Sequence, residues 1–328
     1  MRTNGDWYNF ALVLLAFAVL LPGCSGLATR EGGADCQDIA ERGYINVLTL
    51  NLLFSEIRTR DHRLATLGEF VFDNQVDVIL LQEVVGGALA QTDDSARDLK
   101  NILADDYDLD YNLNSVFEIA VPETLAVENA ILSRCEMPFM LVKPLPWAPE
   151  IEFQGKVMEL GRNVLMSRLK IPRFGRINIY NAHLCAACSV ADRQEQLHNL
   201  LAFVNGMENY SSSDKPVVLG GDFNIDLFRD NGSERFLYSS ILNTGFIDSY
   251  ASMKSNVNKL CENPQDADKH CTVGVSDLDG SNARRVDYLF VRGFGKVLES
   301  RVAFNTAITG EPTVSNHAAV LSRLALPR

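Results

Sequence analysis

Two hydrophobic periods organise the chain. Residues 45–51 (INVLTLN) alternate and are β-branched, which predicts a strand, and residues 77–81 (DVILL) form the near-continuous apolar run of a strand covered on both faces. Residues 128–134, 162–171, 176–182, 216–220, 286–291 and 318–324 read as further strands. Helical spacing appears at 62–72, through Leu64, Leu67, Phe70 and Val71, and at 192–204, through Leu197, Leu200, Leu201 and Val204. Residues 91–104 read as a polar loop running into a helix, and residues 143–155, with Pro144, Pro146 and Pro149, as a surface excursion. Many strands with few helices predict an α/β protein in which two sheets stack face to face with helices outside. With no repeat or long linker, residues 43–328 are expected to form one domain.

The first residues follow a different rule. Residues 10–21 are continuously apolar, too short a run for a bilayer span of roughly 20 residues but suited to the core of an export signal. Leu21-Pro22-Gly23-Cys24 resembles the bacterial lipobox, which predicts a signal over 1–23, lipidation of Cys24 and a tether over 24–42. An ordinary cleaved signal is the alternative. The protein is then expected to be exported, either secreted or held by its lipid in the cell envelope at the outer membrane or in the periplasm.

Export changes the meaning of the cysteines. Without Cys24, six remain, an even number that suggests disulfides. Cys261 and Cys271 bracket a polar loop and form the favoured local pair. Cys185 and Cys188 make a CxxC that reads as a loop staple, a redox motif or a zinc half-site, the last lacking a second ligand pair. Cys36 and Cys135 are left to each other by elimination. The net charge of −12 argues against a module that coats nucleic acid through Lys and Arg, but not against an enzyme that brings a cation to a phosphate.

Polar residues gather where the strands end. Asn51 closes the first, Gln82-Glu83 follow DVILL, Asn181 and His183 follow INIY, and Asp222 and Asn224 follow VVLGG. Asp287 lies in RRVDYLFV and Asn316-His317 precede AAVL. Each alone could be a turn or a helix cap. Together they are what a rigid scaffold presents at a site. Carboxylates gathered in one cleft would repel each other and any phosphate unless a hard divalent cation joined them.

INVLTLN, DVILLQEV, NAILSR, NAHL, GGDFN, RRVDYLFV and SNH, in that order, resemble the endonuclease/exonuclease/phosphatase superfamily. The resemblance implies a four-layered, DNase I-like α/β sandwich and Mg²⁺-dependent hydrolysis of a phosphate ester, with Mn²⁺ or Ca²⁺ as substitutes. It implies that Asn51 and Glu83 hold the metal, that Asp222 and Asn224 orient or activate water and contact the phosphate, and that His183 donates to the phosphate or leaving group. It implies that Asp287 buttresses His317. Asn129 and Arg162 read as structural. Many members have Ser-Asp-His where this chain has Ser315-Asn316-His317, which puts a second metal at Asn316 in doubt. His317 with Asp287 is the expected base, and Asp222 is its rival.

The substrate is expected to be a phosphodiester, and the partner a membrane reached through the lipid anchor, with the protein a monomer. The layout before Asp287 is similar to sphingomyelinase-like members, and Trp147 in the 144–153 segment is the nearest candidate for an apolar contact with lipid. A phospholipid or sphingomyelin head group is therefore the first expectation. A DNase I-like nuclease using a basic strip of Arg284, Arg285 and Arg292 is the alternative, and a non-catalytic surface lipoprotein is the third.

Overall fold

The computed structural model describes residues 28–31, 36–53, 57–148, 150–153, 156–210, 215–227, 232, 234–254, 261, 270–274, 283–305 and 314–327. The signal and Cys24 lie outside them. The elements run β1 (Ala28–Glu31), α1 (Gln37–Arg42), β2 (Tyr44–Asn51), α2 (Arg60–Asp73), β3 (Val78–Gly86), α3 (Ser95–Tyr107), β4 (Asn112–Val121), β5 (Leu125–Ser133) and β6 (Glu136–Leu145). There follow β7 (Glu150–Phe153), β8 (Lys156–Glu159), β9 (Arg162–Ile171), β10 (Gly175–His183), α4 (Val190–Tyr210) and β11 (Val217–Asp222). The chain closes with α5 (Arg235–Leu242), β12 (Ile247–Asp248), α6 (Ser249–Ser252), β13 (Asp287–Arg292), β14 (Lys296–Ala303) and β15 (Ala319–Ala325).

Two mixed sheets form, in strand order β1-β4-β5-β3-β2-β15-β14 and β12-β13-β11-β10-β9-β6, with β7-β8 a separate hairpin. Ile45, Val47, Val78, Leu80, Leu165, Ile179, Val218 and Leu289 fill the space between the sheets. On the outer face of the first sheet, Leu48, Ile79 and Leu81 meet Leu64, Leu67 and Val71 of α2 and Leu99 and Leu103 of α3. On the outer face of the second, Tyr180, Leu219 and Phe290 meet Leu197, Leu200 and Val204 of α4. These are the four layers expected from the sequence. DVILL reads as continuous because Val78 and Leu80 face one apolar layer while Ile79 and Leu81 face another.

Two expectations are corrected, and three strands are added. Residues 24–42 are not simply a tether: β1 pairs antiparallel with β4, α1 packs Ile39 into the core, and Cys36 is disulfide-bonded to Cys135, so pairing with the domain begins at β1 rather than at residue 43. The 143–155 excursion begins later than expected, because Lys143–Leu145 continue β6 in register with β9. Finally, β4, β6 and β14 were not legible as strands. Asn112, Asn114, Ser115 and Glu118 in β4 are buried polar residues, and β6 and β14 are mostly exposed or half-buried, so none shows a clean apolar alternation. The Cys185–Cys188 and Cys261–Cys271 disulfides form as the spacing suggested.

Candidate active site

Sheet register sets the site. In the second sheet His183, Asp222 and Asp287 are direct partners across β10, β11 and β13, so three functional side chains stand in one row at one edge of the sheet. Adjacent strands lie about 4.8 Å apart, which limits the row to the size of a phosphate and its ligands. In the first sheet the ends of β2 and β3 bring Asn51 opposite Gln82. One extra residue between Leu81 and Val84 then makes a bulge, with Glu83 at φ 54°, and this turns Glu83 off the sheet face. The glycines of GGDFN let the layers close. A side chain at Gly220 would collide with Leu80 of the facing sheet, and Gly221, at φ 134°, abuts the Ala182 carbonyl. Phe223 anchors the loop edge-on against Tyr288 and Phe290, at 5.9 and 5.2 Å.

The polar groups interlock. Asn51 Nδ2 donates to Glu83 Oε1 at 3.1 Å and to Asp222 Oδ2 at 3.2 Å, bridging the two sheets, while its own oxygen accepts the Leu53 amide. Asp222 Oδ1 accepts the Asn224 amide at 2.9 Å, which holds Asn224 at φ 50°, and the Asn224 side chain donates to the Leu184 carbonyl. His317 Nδ1 lies 2.9 Å from Asp287 Oδ2 and 3.9 Å from Asp222 Oδ2. His183 Nε2 lies 3.7 Å from that same Asp222 oxygen. Asp222 is thus the hub between both histidines, with one oxygen shared and the other fixed.

Burial alone would lower the His317 ring, but the charge and hydrogen bond of Asp287, with Asp222 and Glu83 beyond, outweigh it and carry the pKa up to about 9. Burial pushes Asp287 up to about 6 against the pull of the imidazolium. Their mutual attraction favours the carboxylate–imidazolium form of the pair.

His183 has one partner that the pattern of strand ends does not reveal. Glu118, buried in β4, receives Arg162 Nη1 at 2.6 Å and Asn129 Nδ2 at 3.2 Å, and its Oε1 lies 3.3 Å from His183 Nδ1. Burial would raise this carboxyl, but Arg162 and His183 outweigh it and hold it below the ordinary value. Arg162 also lies 3.3 Å from His183 Nδ1, whereas Asn129 bonds Glu118 and Asn163. A charged residue inside the otherwise apolar VFEIAV was the available signal. By contrast, Asn181 is a peg between the sheets, bonded to Gln82 and to the Leu81 and Ala130 carbonyls. Half-buried Asn316 takes the Ser315 hydroxyl at 3.4 Å, and among the described contacts it joins no carboxylate.

The donor set suits a divalent cation. Ligand atoms of Asp222, Asp287 and His317 all lie within 4.8 Å of one another, and Asp287 Oδ1 is buried with no hydrogen-bond partner. Glu83 and Asp222, held by one amide, supply the hard oxygens that Mg²⁺ prefers.

Solved structures share this architecture. An endonuclease/exonuclease/phosphatase family protein from Leptotrichia buccalis C-1013-b superposes with a TM-score of 0.61 at 20% identity, over 85% of this chain and 99% of that one. Mannosyl-6-phosphatase from Bacteroides thetaiotaomicron VPI-5482 gives 0.60 at 18% identity, over 85% and 99%. Truncated TDP2 from Caenorhabditis elegans gives 0.56 at 19%, over 86% and 97%. No curated protein matches the chain in sequence. The sequence profile of the Endonuclease/Exonuclease/phosphatase family matches residues 48–317, from the middle of β2 to the histidine held by Asp287. The chain belongs to that family of phosphoester hydrolases.

Proposed function

We propose that this protein is an exported, Mg²⁺-dependent phosphodiesterase that cleaves a phospholipid or sphingomyelin head-group ester. The observation that supports the reading is exposed apolar surface, at Trp147 and Val157, on the segment that leads into Arg162. The β7–β8 hairpin is inserted between Leu145 and Arg162, beside the Arg162–His183 contact, and it exposes Val157, while Trp147 at its base is 54% exposed. The Trp147 indole N–H donates to Glu195 Oε2 at 2.6 Å. Two of the three arginines in the basic strip are turned to other uses, and Arg284 is half-buried. Arg285 is buried on Asp248, and Arg292 lies five residues from Asp287 along β13, about 17 Å away, with its guanidinium over Phe246. The three disulfides accord with an oxidising compartment, as export through the signal and the Cys24 anchor would require.

Glu83, Asp222 and Asn51 are the residues that would hold the metal, which when bound neutralises charge on the phosphoryl oxygens. Asp222, central between the histidines, accepts the proton of the attacking water. His317 has its Nδ1 engaged by Asp287 and offers Nε2–H to a phosphoryl oxygen. His183 faces the reacting centre through Nε2 and donates there, while its Nδ1 lies 3.3 Å from both Arg162 Nη1 and Glu118 Oε1.

The test is a panel of bis-p-nitrophenyl phosphate, sphingomyelin and phosphatidylcholine liposomes, and plasmid DNA, each with Mg²⁺ and with EDTA. Hydrolysis of liposomes that EDTA abolishes is the expected result. Cleavage of plasmid alone would replace the lipid reading with a nuclease, and no EDTA-sensitive turnover would return the protein to a binding role.

A further inference from the structure

One buried threonine joins both halves of the Asp287–His317 pair, although it lies in neither strand. Thr272 is fully buried, and its hydroxyl oxygen accepts the backbone N–H of Val286 at 3.0 Å and of Asp287 at 3.1 Å. Its carbonyl accepts the N–H of Ala318, the residue after His317, at 2.6 Å, and its own N–H donates to the Arg284 carbonyl at 2.8 Å. The next residue, Val273, forms bridges to Arg284 on one side and to His317 on the other. Asp287 and His317 are 30 residues apart in sequence, and the Thr272 strap contacts the backbone on both sides of their hydrogen bond. The strap is itself pinned: Cys271, immediately before Thr272, is disulfide-bonded to Cys261, and both cysteines are buried.

We propose that Thr272 is a positioning residue for the Asp287–His317 pair, its hydroxyl fixing the Asp287 backbone and its carbonyl the His317 segment, with the Cys261–Cys271 disulfide holding the strap in place. An imidazole–carboxylate bond keeps its geometry only if both backbones are fixed to a fraction of an ångström. At the start of β13 the amides of Val286 and Asp287 are the groups that decide where the carboxylate points. A β-strand neighbour would supply carbonyls to those amides, but here a side-chain hydroxyl does so, which frees the strap's own carbonyl to reach across to Ala318. Chemically the role needs a hydroxyl on a short side chain, which Thr and Ser have and Val and Ala lack.

The proposal rests on the catalytic reading for its importance, but its test does not depend on turnover. In protein labelled with ¹⁵N-histidine, the His317 Nδ1–H held by Asp287 gives an exchange-protected downfield proton signal, identified by its loss in His317→Gln. Thr272→Val should abolish that signal and lower kcat on the order of 100-fold with KM nearly unchanged, whereas Thr272→Ser should keep the signal and most of kcat. Thr272→Ala removes the same hydroxyl without adding a methyl group, must give the same loss, and stands in should the valine variant not fold. A merely structural threonine would lower the melting temperature of the valine and alanine variants while leaving the ring signal and the kcat of folded protein intact. That result overturns the proposal, as does a serine variant that loses the signal as completely as valine. If the wild type turns over no phosphate ester, the catalytic reading fails, and the NMR signal still decides the role of Thr272.

Discussion

Glu118→Gln is the perturbation whose consequences follow most directly from the site. The Arg162–Glu118 contact at 2.6 Å is buried on both sides. At an effective dielectric of 20 the gross attraction is about 6 kcal/mol. Desolvation of both ions offsets part of this, and stranding the surviving charge in such pairs costs about 3–5 kcal/mol. Glutamine keeps the shape but presents an amide N–H₂ to a place where Arg162, Asn129 and His183 converge. The melting temperature should fall on the order of 10 °C. With the ring of His183 no longer held by a carboxylate, kcat should drop about 10²–10⁴-fold. The cycle Glu118→Gln, Arg162→Gln and the double variant separates the two effects, because removing both charges should restore most of the stability and none of the activity. Calorimetry and hydrolysis of bis-p-nitrophenyl phosphate read them. A single variant within about 1 kcal/mol of wild type, or one with normal kcat, would refute the assignment of Glu118 to His183.

Other consequences can be measured on the same protein. Burial, with Asp94 nearby, raises Glu128 to about 7. Its proton stabilises the fold fully below the unfolded value near 4.5, and that stability is lost as pH rises through 7. Glu128→Gln should therefore flatten the pH–stability curve and exceed wild type above pH 7, on the order of 3 kcal/mol at most; equal curves in urea titrations would exclude it. Mg²⁺ at a hundredfold over its Kd should stabilise the protein by about 2.7 kcal/mol, and a thermal shift retained in Glu83→Gln/Asp222→Asn would place the cation elsewhere. The Cys36–Cys135 bond closes a loop with a sequence separation of 99. Its loss in Cys36→Ala/Cys135→Ala should cost about 4–5 kcal/mol by loop entropy, and an unchanged denaturation midpoint would show that residues near Cys36 are held by packing alone.

The basic strip shows where linear reading misleads. Arg284 and Arg285 are adjacent and Arg292 is close in sequence, yet Arg285 is buried on Asp248 with its guanidinium 4.5 Å over the Tyr288 ring, and Arg292 sits at the far end of β13. Strand alternation and a buried partner divide what the sequence presents as one patch. The reverse holds for Glu118, Arg162 and His183, which are 44 and 21 residues apart in sequence and become one group only when the sheets stack.

The chain by itself determined the layers and the ends of the central strands. Burial on two faces writes itself into sequence as apolar runs, and the polar residues that end those runs stand out against them. That was enough to name Asn51, Glu83, His183, Asp222, Asp287 and His317. Tertiary structure alone decided that β4 is a strand, that Glu118 supports His183, that the tether region is stitched into the core by Cys36, and that Thr272 spans the Asp287–His317 pair. In three of these cases a buried polar group is satisfied by a partner elsewhere in the chain, and in the Cys36 case the partner is a cysteine at a sequence separation of 99. Hydrophobic periodicity records which residues leave water, and it carries no record of which polar groups meet after they have done so.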